Sequence, residues 1–548
     1  MKSKIWFVCL SLLTLLSGCY EDKGNYSYKG LAKYVVDENS LSNGNRLLFA
    51  QGETLTIEPV ITGAQGDTVG ELPNLQYTWN LNYKKEIGHE KKLVYVCDEL
   101  LENAVLVLTV HDTETGLDFS GSVYLDVHEK FGTSGFYVLS EKDGHTSLGL
   151  VSGSSMSQSE ITTANVDFKS QLGVYYAENG EYLPDHPIRI HEHYWADGYN
   201  VSSEYSAMVI TPTELVDIAG GTLQKDATGT EMFGDTWPAG LRVSNVMYMG
   251  WSDLLEDEQG QIYTRIKSTN ELPNSEYFYP VPVKCEGEEE ALSDTHIIVS
   301  KLSGNFVLLD DRKNKRILYA TDQKIDYQGE YTLGRIRAIR ALKWPDGFVP
   351  LENYEGYNLV HCGYYNVYND YSGNGGVGKN FLFIFEKDGE YTIQSCLIYQ
   401  DTYNSSTLTV SGAKVLSVDK DGLHKELLAG IVTEDSYIYT LPYTTQASNA
   451  GSYTFVTNGN DLYMYDREAN VVKKYLTFDA PVVAMDSEWY NSNYMAVGLA
   501  NGKFYILEMK NAKNLADDKK IVWEASDNFG RIVSIRYKGA QGWGPGVM

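Results

Sequence analysis

Three histidines fall within eight residues of the segment His186-Pro-Ile-Arg-Ile-His191-Glu-His193-Tyr-Trp195. On a strand, positions 191 and 193 point to the same face, which is a common way to build half of a zinc site. The segment has no i, i+4 histidine pair of the zinc-hydrolase type, and no third ligand stands nearby. A hydrogen-bonded histidine pair is the plainer reading. Asp370-Tyr-Ser372-Gly-Asn374-Gly375 imitates the start of a calcium loop, with oxygen ligands at alternate positions and a turning glycine. The twelfth position is Phe381, where a bidentate glutamate belongs, so a plain loop is expected and calcium is only a weak alternative. No other cofactor is implied. Glu286-Gly-Glu288-Glu289-Glu290 reads as a solvated acidic loop, because paired carboxylates serve glycoside chemistry only at separations set by folding. The sequence holds no nucleophile elbow, no HExxH helix and no phosphate-cradling loop. No catalytic residue is assigned, and a hydrolase or lyase is kept as an alternative.

Aromatic residues offer a different chemistry. The chain has 42 Tyr, 17 Phe and 9 Trp, types that favour strands and that bind ligands by stacking. Tyr364, Tyr365, Tyr368 and Tyr371 crowd one glycine-rich segment, while Trp195, Trp344 and Trp489-Tyr490 stand near turn residues. If these lie on loops they form a floor for sugar rings or peptide; the competing expectation is that they wedge between strands.

Cys19 is the residue with the clearest covalent chemistry. Lys2 and Lys4 precede an apolar run from Ile5 to Leu16, then Ser17-Gly18-Cys19. The run is short of the roughly 20 residues that span a bilayer, and it reads as a secretory signal peptide over 1–18. Small residues before a cysteine resemble the bacterial lipobox, in which Cys19 would be diacylated and become the mature N-terminus. Residues 19–33 then form a tether. Glu21 and Asp22 behind the cysteine resemble the signal that sends lipoproteins of Bacteroides-type bacteria to the cell exterior. The expected location is the outer membrane, lipid-anchored and facing outward.

The formal charge of −28 argues against nucleic acid as a partner and leaves lipid contact to the anchor alone. Cys97, Cys285, Cys362 and Cys396 show no metal-type spacing; most are expected to be buried thiols, with a Cys362–Cys396 pair left open.

Two bodies must carry these groups. Over 34–130, Leu75-Gln-Tyr-Thr-Trp-Asn-Leu81 alternates with period two, and Val105–Val110 and Val123–Val127 flank the turn-rich His111–Gly116. Short strands at this spacing suggest an immunoglobulin-like sandwich with Trp79 in its core. Four stretches in order, CYEDKGNYSY (19–28), YTWNL (77–81), LTVHDTETGL (108–117) and GFYVLSEKDGHTSLGLV (135–151), resemble the PKD-like lipoprotein family of Bacteroidetes. The resemblance covers roughly the first 150 residues. It implies an accessory surface lipoprotein beside starch-utilisation-type (SusC/SusD-like) outer-membrane importers, and it transfers no catalytic motif.

From 131 to 548 the chain turns to hairpins with Asp-Gly or Asn-Gly turns, among them 143–144, 388–389, 421–422, 458–459 and 501–502. Gly334-Arg-Ile-Arg-Ala-Ile339, Ala480-Pro-Val-Val-Ala-Met485 and Gly530-Arg-Ile-Val-Ser-Ile535 start 146 and 50 residues apart. A unit of about fifty residues explains both gaps, which predicts a β-propeller of seven or eight blades. The fold expected is all-β, a PKD/Ig-like sandwich followed by a propeller. The role expected is binding or presenting an oligopeptide or glycan to an importer, with a purely structural importer subunit as a further alternative.

Overall fold

A computed structural model describes residues 34–42, 46–63, 66, 68–70, 72–153, 168–197, 200–249, 252–267, 277–298, 306–321, 334–340, 343–365, 378–399, 402–404, 409–411, 414–441, 453–487 and 493–539. The chain is all-β and divides into two compact units, 1–128 and 129–548.

In the first unit the alternating segment Leu75–Leu81 is a strand whose odd positions are buried and whose even positions are not. It lies between Lys85–Gly88 and Leu101–Asp112; the latter pairs with Leu117–His128, whose far edge takes Arg46–Ala50 in parallel. Two small sheets complete the unit, Thr54–Ile57 with Leu93–Val96, and Val35–Val36 with Ile61–Thr62 and Thr68–Val69. Trp79 is fully buried among Leu55, Ile61, Leu106, Leu108 and Val110. Its Nε1 donates to the Glu90 carbonyl at 3.0 Å, so the buried indole leaves no donor unspent. The turn 111–116 is closed by Asp112, which accepts from Glu114 N at 3.0 Å, Thr115 Oγ1 at 2.7 Å and Asn74 Nδ2 at 2.9 Å. Those hydrogen bonds, Thr115 first, hold its carboxyl below the ordinary value.

The second unit has, among the described residues, seven main sheets of three or four antiparallel strands. Sheet I joins Arg531–Lys538, Gly135–Lys142, His145–Gly153 and Phe168–Gln171; sheet II joins Arg189–Asp197, Asn200–Ile210, Leu215–Ala219 and Lys225–Thr228. Sheet III joins Val243–Tyr248, Ser252–Asp257 and Ile262–Ile266; sheet IV joins Thr295–Ile298, Phe306–Asp311, Arg316–Thr321 and Arg335–Ala338. Sheet V joins Asn358–Tyr365, Gly378–Lys387, Glu390–Tyr399 and Lys414–His424, with a side hairpin Thr402–Asn404 and Thr409–Ser411. Sheet VI joins Ile438–Thr440, Tyr453–Asn458, Asp461–Asp466 and Val471–Thr477; sheet VII joins Val482–Ser487, Tyr494–Leu499, Phe504–Glu508 and Ile521–Glu524.

The inner strands read as unbroken apolar runs because both of their faces are covered. In sheet VII, Tyr494 and Ala496 pack toward sheet I, while Met495, Val497 and Leu499 pack toward sheet VI. In sheet II, Ala207 and Val209 pack toward sheet I, while Met208 and Ile210 pack toward sheet III. Further apolar clusters join sheet III to IV through Leu254 and Leu309, IV to V through Phe306 and Phe381, and V to VI through Ile384 and Val456. The cores therefore run from sheet I to sheet VII and return to I. Sheet I itself is completed by the C-terminal strand, with Val138 opposite Ile535.

Several local expectations change. The Asp421-Gly422 dipeptide makes no hairpin, because the strand Lys414–His424 runs through it with register shifts against its partner. The three GRI-like segments are not equivalent. Val482–Ser487 and Arg531–Lys538 are first strands of sheets VII and I, but Arg335–Ala338 is the last strand of sheet IV. First strands begin as little as 44 residues apart (438 to 482) and as much as 80 (358 to 438), which no fixed period captures. A recurring turn was instead missed: Asp257, Asp311 and Asp466 each end a strand, and the Oδ1 of each accepts backbone N–H groups of the following turn. Its signal was a strand-ending aspartate five residues before the next strand begins.

Candidate site at the convergence of the first strands

First strands of six sheets, I, II, IV, V, VI and VII, meet around one cavity of about 520 Å³. Its wall comes from 188–191, 296–298, 359–364, 437–440, 483–486 and 533–536, together with Asp310 and Arg312. Sheet III contributes through Asn245, whose Oδ1 accepts from Arg189 Nη1 at 2.9 Å.

The acids of this wall are spent on the protein. Asp310 accepts from the Tyr354 hydroxyl and, at 3.0 Å, from Arg312 Nε. Burial raises its pKa against those two donors. Asp486 accepts from Tyr439 Oη at 3.1 Å and from the Tyr537 backbone N at 2.6 Å. Behind the wall, Glu256 accepts from His296 Nδ1 and from the Ile297 backbone N, both at 2.8 Å.

Apart from Arg312, which pairs with Asp310, the guanidiniums of the wall are not matched in the same way. Among the described residues neither Arg189 nor Arg536 has a carboxylate within ion-pair distance, and the buried Nε of Arg536 has no hydrogen-bond partner. His191 is only 2 % exposed, and its Nε2 also lacks a partner. Burial, then the positive charges of Arg536 and Arg189, hold its imidazole well below the ordinary value, so it is neutral at physiological pH.

One imidazole–hydroxyl contact lies in the wall, His361 Nε2 with Thr440 Oγ1 at 2.8 Å. Burial pushes His361 down to about 4, which makes it a feeble base at neutral pH. The wall is suited to holding a polar group rather than to activating a nucleophile.

His296 behaves in the opposite sense. Its hydrogen bond to Glu256 raises its pKa above 6.5 against the cost of burial, and Asp294 lies 3.5 Å away. A raised folded-state pKa means that the protonated histidine stabilises the fold below pH 6.5, and that this contribution is lost as pH rises through the folded value. The His296 resonances should therefore titrate above pH 6.5 by NMR, and His296→Gln should flatten the stability–pH curve in that window. A midpoint at or below 6.5 would contradict the assignment.

The sequence-predicted residues fall in several places. His193 does not share His191's fate: its Nε2 lies 2.7 Å from Asp217 Oδ1 and its ring stacks on Tyr248 at 4.1 Å, so the two form no joint metal face. Among the described residues no three His, Cys, Asp or Glu come together as metal ligands. Tyr364 is the penultimate residue of the first strand of sheet V and lines the cavity, though it is only 7 % exposed and packs on Phe381. Tyr365 is buried between sheets V and VI, with Arg467 4.6 Å over its ring. Trp344 is half-buried against the core between sheets IV and V, and its Nε1 donates to Glu352 at 2.8 Å. Tyr365 and Trp344 thus serve packing instead of forming a stacking floor. Trp195 falls within the strand Arg189–Asp197, but its side chain lies outside the described residues, as do Cys19, Glu21, Asp22, Tyr368, Asp370, Tyr371, Ser372, Asn374, Trp489 and Tyr490.

The acidic loop is not merely solvated. Glu288 receives both guanidinium nitrogens of Arg316, at 2.6 and 2.9 Å, and Glu290 pairs with Lys313 at 3.2 Å. Cys97, Cys285, Cys362 and Cys396 are all free, so the possible Cys362–Cys396 pair is not formed. Burial pushes the Cys285 thiol up to about 11, far from the range of a reactive cysteine.

An exposed stacking surface lies elsewhere. Tyr182 stacks on His145 at 3.9 Å and on Tyr176 at 4.5 Å, beside a groove of about 310 Å³. The short helix Val174–Asn179, stopped by Gly180 in the left-handed region, sets this spacing. Its signal in the sequence is two tyrosines, Tyr176 and Tyr182, flanking Asn179-Gly180.

Residues 19–187 match the model of the family described as PKD-like, a span that runs past the first unit into sheet I and this helix. No curated protein matches the chain. Among solved structures the chain is similar to Raptor of Chaetomium thermophilum at 10% identity and a TM-score of 0.32. That match covers 66% of this chain and 26% of the Raptor chain, so it spans about a quarter of that protein's length.

Proposed function

We propose that this chain is a lipid-anchored binding protein of the outer membrane's external face, whose seven C-terminal sheets are the blades of a closed β-propeller. The ligand is an oligopeptide or a glycan, presented to a SusC/SusD-type importer. One observation carries the binding role: a polar cavity where six first strands converge, with Arg536 Nε and His191 Nε2 unpartnered among the described residues and Arg189 without a carboxylate there. Support for the propeller comes from apolar cores that pass from sheet I to VII and back to I, and from the C-terminal strand that completes sheet I. The PKD-like segment would act as spacer and docking module, and Cys19 with Glu21 and Asp22 would supply the outward address.

The test is a pull-down of the tagged, full-length lipoprotein from outer membranes, with Cys19→Ser as the control that should release it from the membrane. Transporter subunits should co-purify with the wild type. Recovery of the chain alone would overturn the importer role, and turnover of a bound oligomer that is lost on replacing one carboxylate would replace binding with catalysis.

A further inference from the structure

The geometry points to a carboxylate as the group that the central cavity recognises, held by Arg189 and Arg536 with His191 as a neutral third partner. This inference rests on the reading of the cavity as a binding site.

Charged groups away from bulk water are normally paired, since an isolated ion in a low dielectric is costly. The wall obeys this rule for its acids and for Arg312, which pairs with Asp310, and breaks it for Arg189 and Arg536. Asp310 and Asp486 each accept from two protein donors. Among the described residues Arg189 donates to one neutral amide, that of Asn245, and Arg536 Nε has no acceptor. Both guanidiniums line the same cavity, and although Glu256 offsets part of the effect on Arg189, the two like charges repel, which an anion bound beside them would relieve. The guanidinium fork matches a carboxylate in two parallel hydrogen bonds. His191 stays uncharged and adds a hydrogen bond from Nε2 without adding to that repulsion.

A singly charged anion suits the site better than phosphate. The whole chain carries −28, and Asp310 and Asp486 stand on the same wall. A phosphate of about −1.5 to −2 would meet correspondingly more repulsion. The carboxylate could come from a peptide C-terminus or from a uronic acid, and the same chemistry would receive either.

Calorimetric titration of the full chain with matched pairs separates the cases. Tri-alanine is compared with its C-terminal amide, an oligogalacturonide with its methyl ester, and inorganic phosphate is added as a competitor. The carboxylate member of one pair should bind about 10–100-fold more tightly than its neutral partner, the range set by a charge-assisted hydrogen bond. Which pair binds identifies peptide or glycan as the source. Arg536→Gln and Arg189→Gln should each reduce the carboxylate form's affinity toward that of the neutral form, with the neutral form's own affinity unchanged. Without ligand, Arg536→Gln should raise the thermal midpoint, since it removes one of two repelling charges. Equal affinities within each pair would overturn the carboxylate assignment while leaving a binding cavity intact. Absence of binding by either pair, or phosphate binding as tightly as the carboxylate, would overturn it as well. Because the paired comparison uses the wild-type chain, it decides the question even if a variant misfolds.

Discussion

Stopping the chain after Gly530 should abolish cooperative folding of the whole second unit, not only of its last strand. The lost segment Arg531–Lys538 pairs along its length with Gly135–Lys142, nearly 400 residues earlier in the chain. It also supplies Ile532, Ile535 and Tyr537 to the core between sheets VII and I. Each such side chain is worth about 1.5–3 kcal/mol when buried, so the three together approach the roughly 5–15 kcal/mol that holds a whole domain. The backbone edge of Gly135–Lys142 would be laid open as well, a template for aggregation. Far-ultraviolet and near-ultraviolet dichroism, with limited proteolysis, would read the result: the truncated chain should lose its near-ultraviolet signal and be cut throughout 129–530. Retention of the wild-type thermal midpoint would mean that the sheets do not depend on this closure.

Asp253→Ala should cost about 3–5 kcal/mol of stability, the usual penalty for removing one partner of a buried ion pair. Asp253 is fully buried in sheet III; its Oδ2 accepts from Arg265 Nε at 2.6 Å, and Lys267 Nζ lies 3.1 Å from its Oδ1 as an ion pair. Those cations are themselves 4 % and 0 % exposed, so the substitution leaves two interior charges with one carboxylate fewer. Asp253→Asn keeps an acceptor and should be milder. Replacing all three residues with apolar ones of similar volume should recover much of the loss, because the whole group is costly to bury. Denaturant midpoints at constant slope measure each step; an Asp253→Ala change within about 0.5 kcal/mol would mean that the pair is not what holds sheet III.

The strands and their turns were largely legible in the residues. Leu75–Leu81 alternates and is a half-buried strand; Asp143-Gly144 and Asp388-Gly389 turn hairpins as Asp-Gly does, while the hairpin expected at Asn458-Gly459 turns one residue later, on Gly459-Asn460. Asp421-Gly422 has the same chemistry and makes no hairpin: it falls at a register shift within one strand, where both backbone N–H groups donate to Asp419 Oδ1. Aromatic type did not reveal exposure: Trp344 and Tyr365 stand near turn residues yet are packed, while Tyr176 and Tyr182 lie open. The histidine segment drew notice for the wrong pairing, since alternation along one strand says nothing of what faces each ring.

What the sequence by itself determined is local: β-forming runs and tight turns. Only the tertiary structure decided the site. Arg189 and Arg536 are separated by almost the whole second unit, and they share one cavity because the C-terminal strand completes sheet I beside sheet II. Periodicity and turn chemistry act over a few residues and leave their mark in order along the chain. Charge repulsion and desolvation act through space, and they exist only once distant strands have been brought edge to edge.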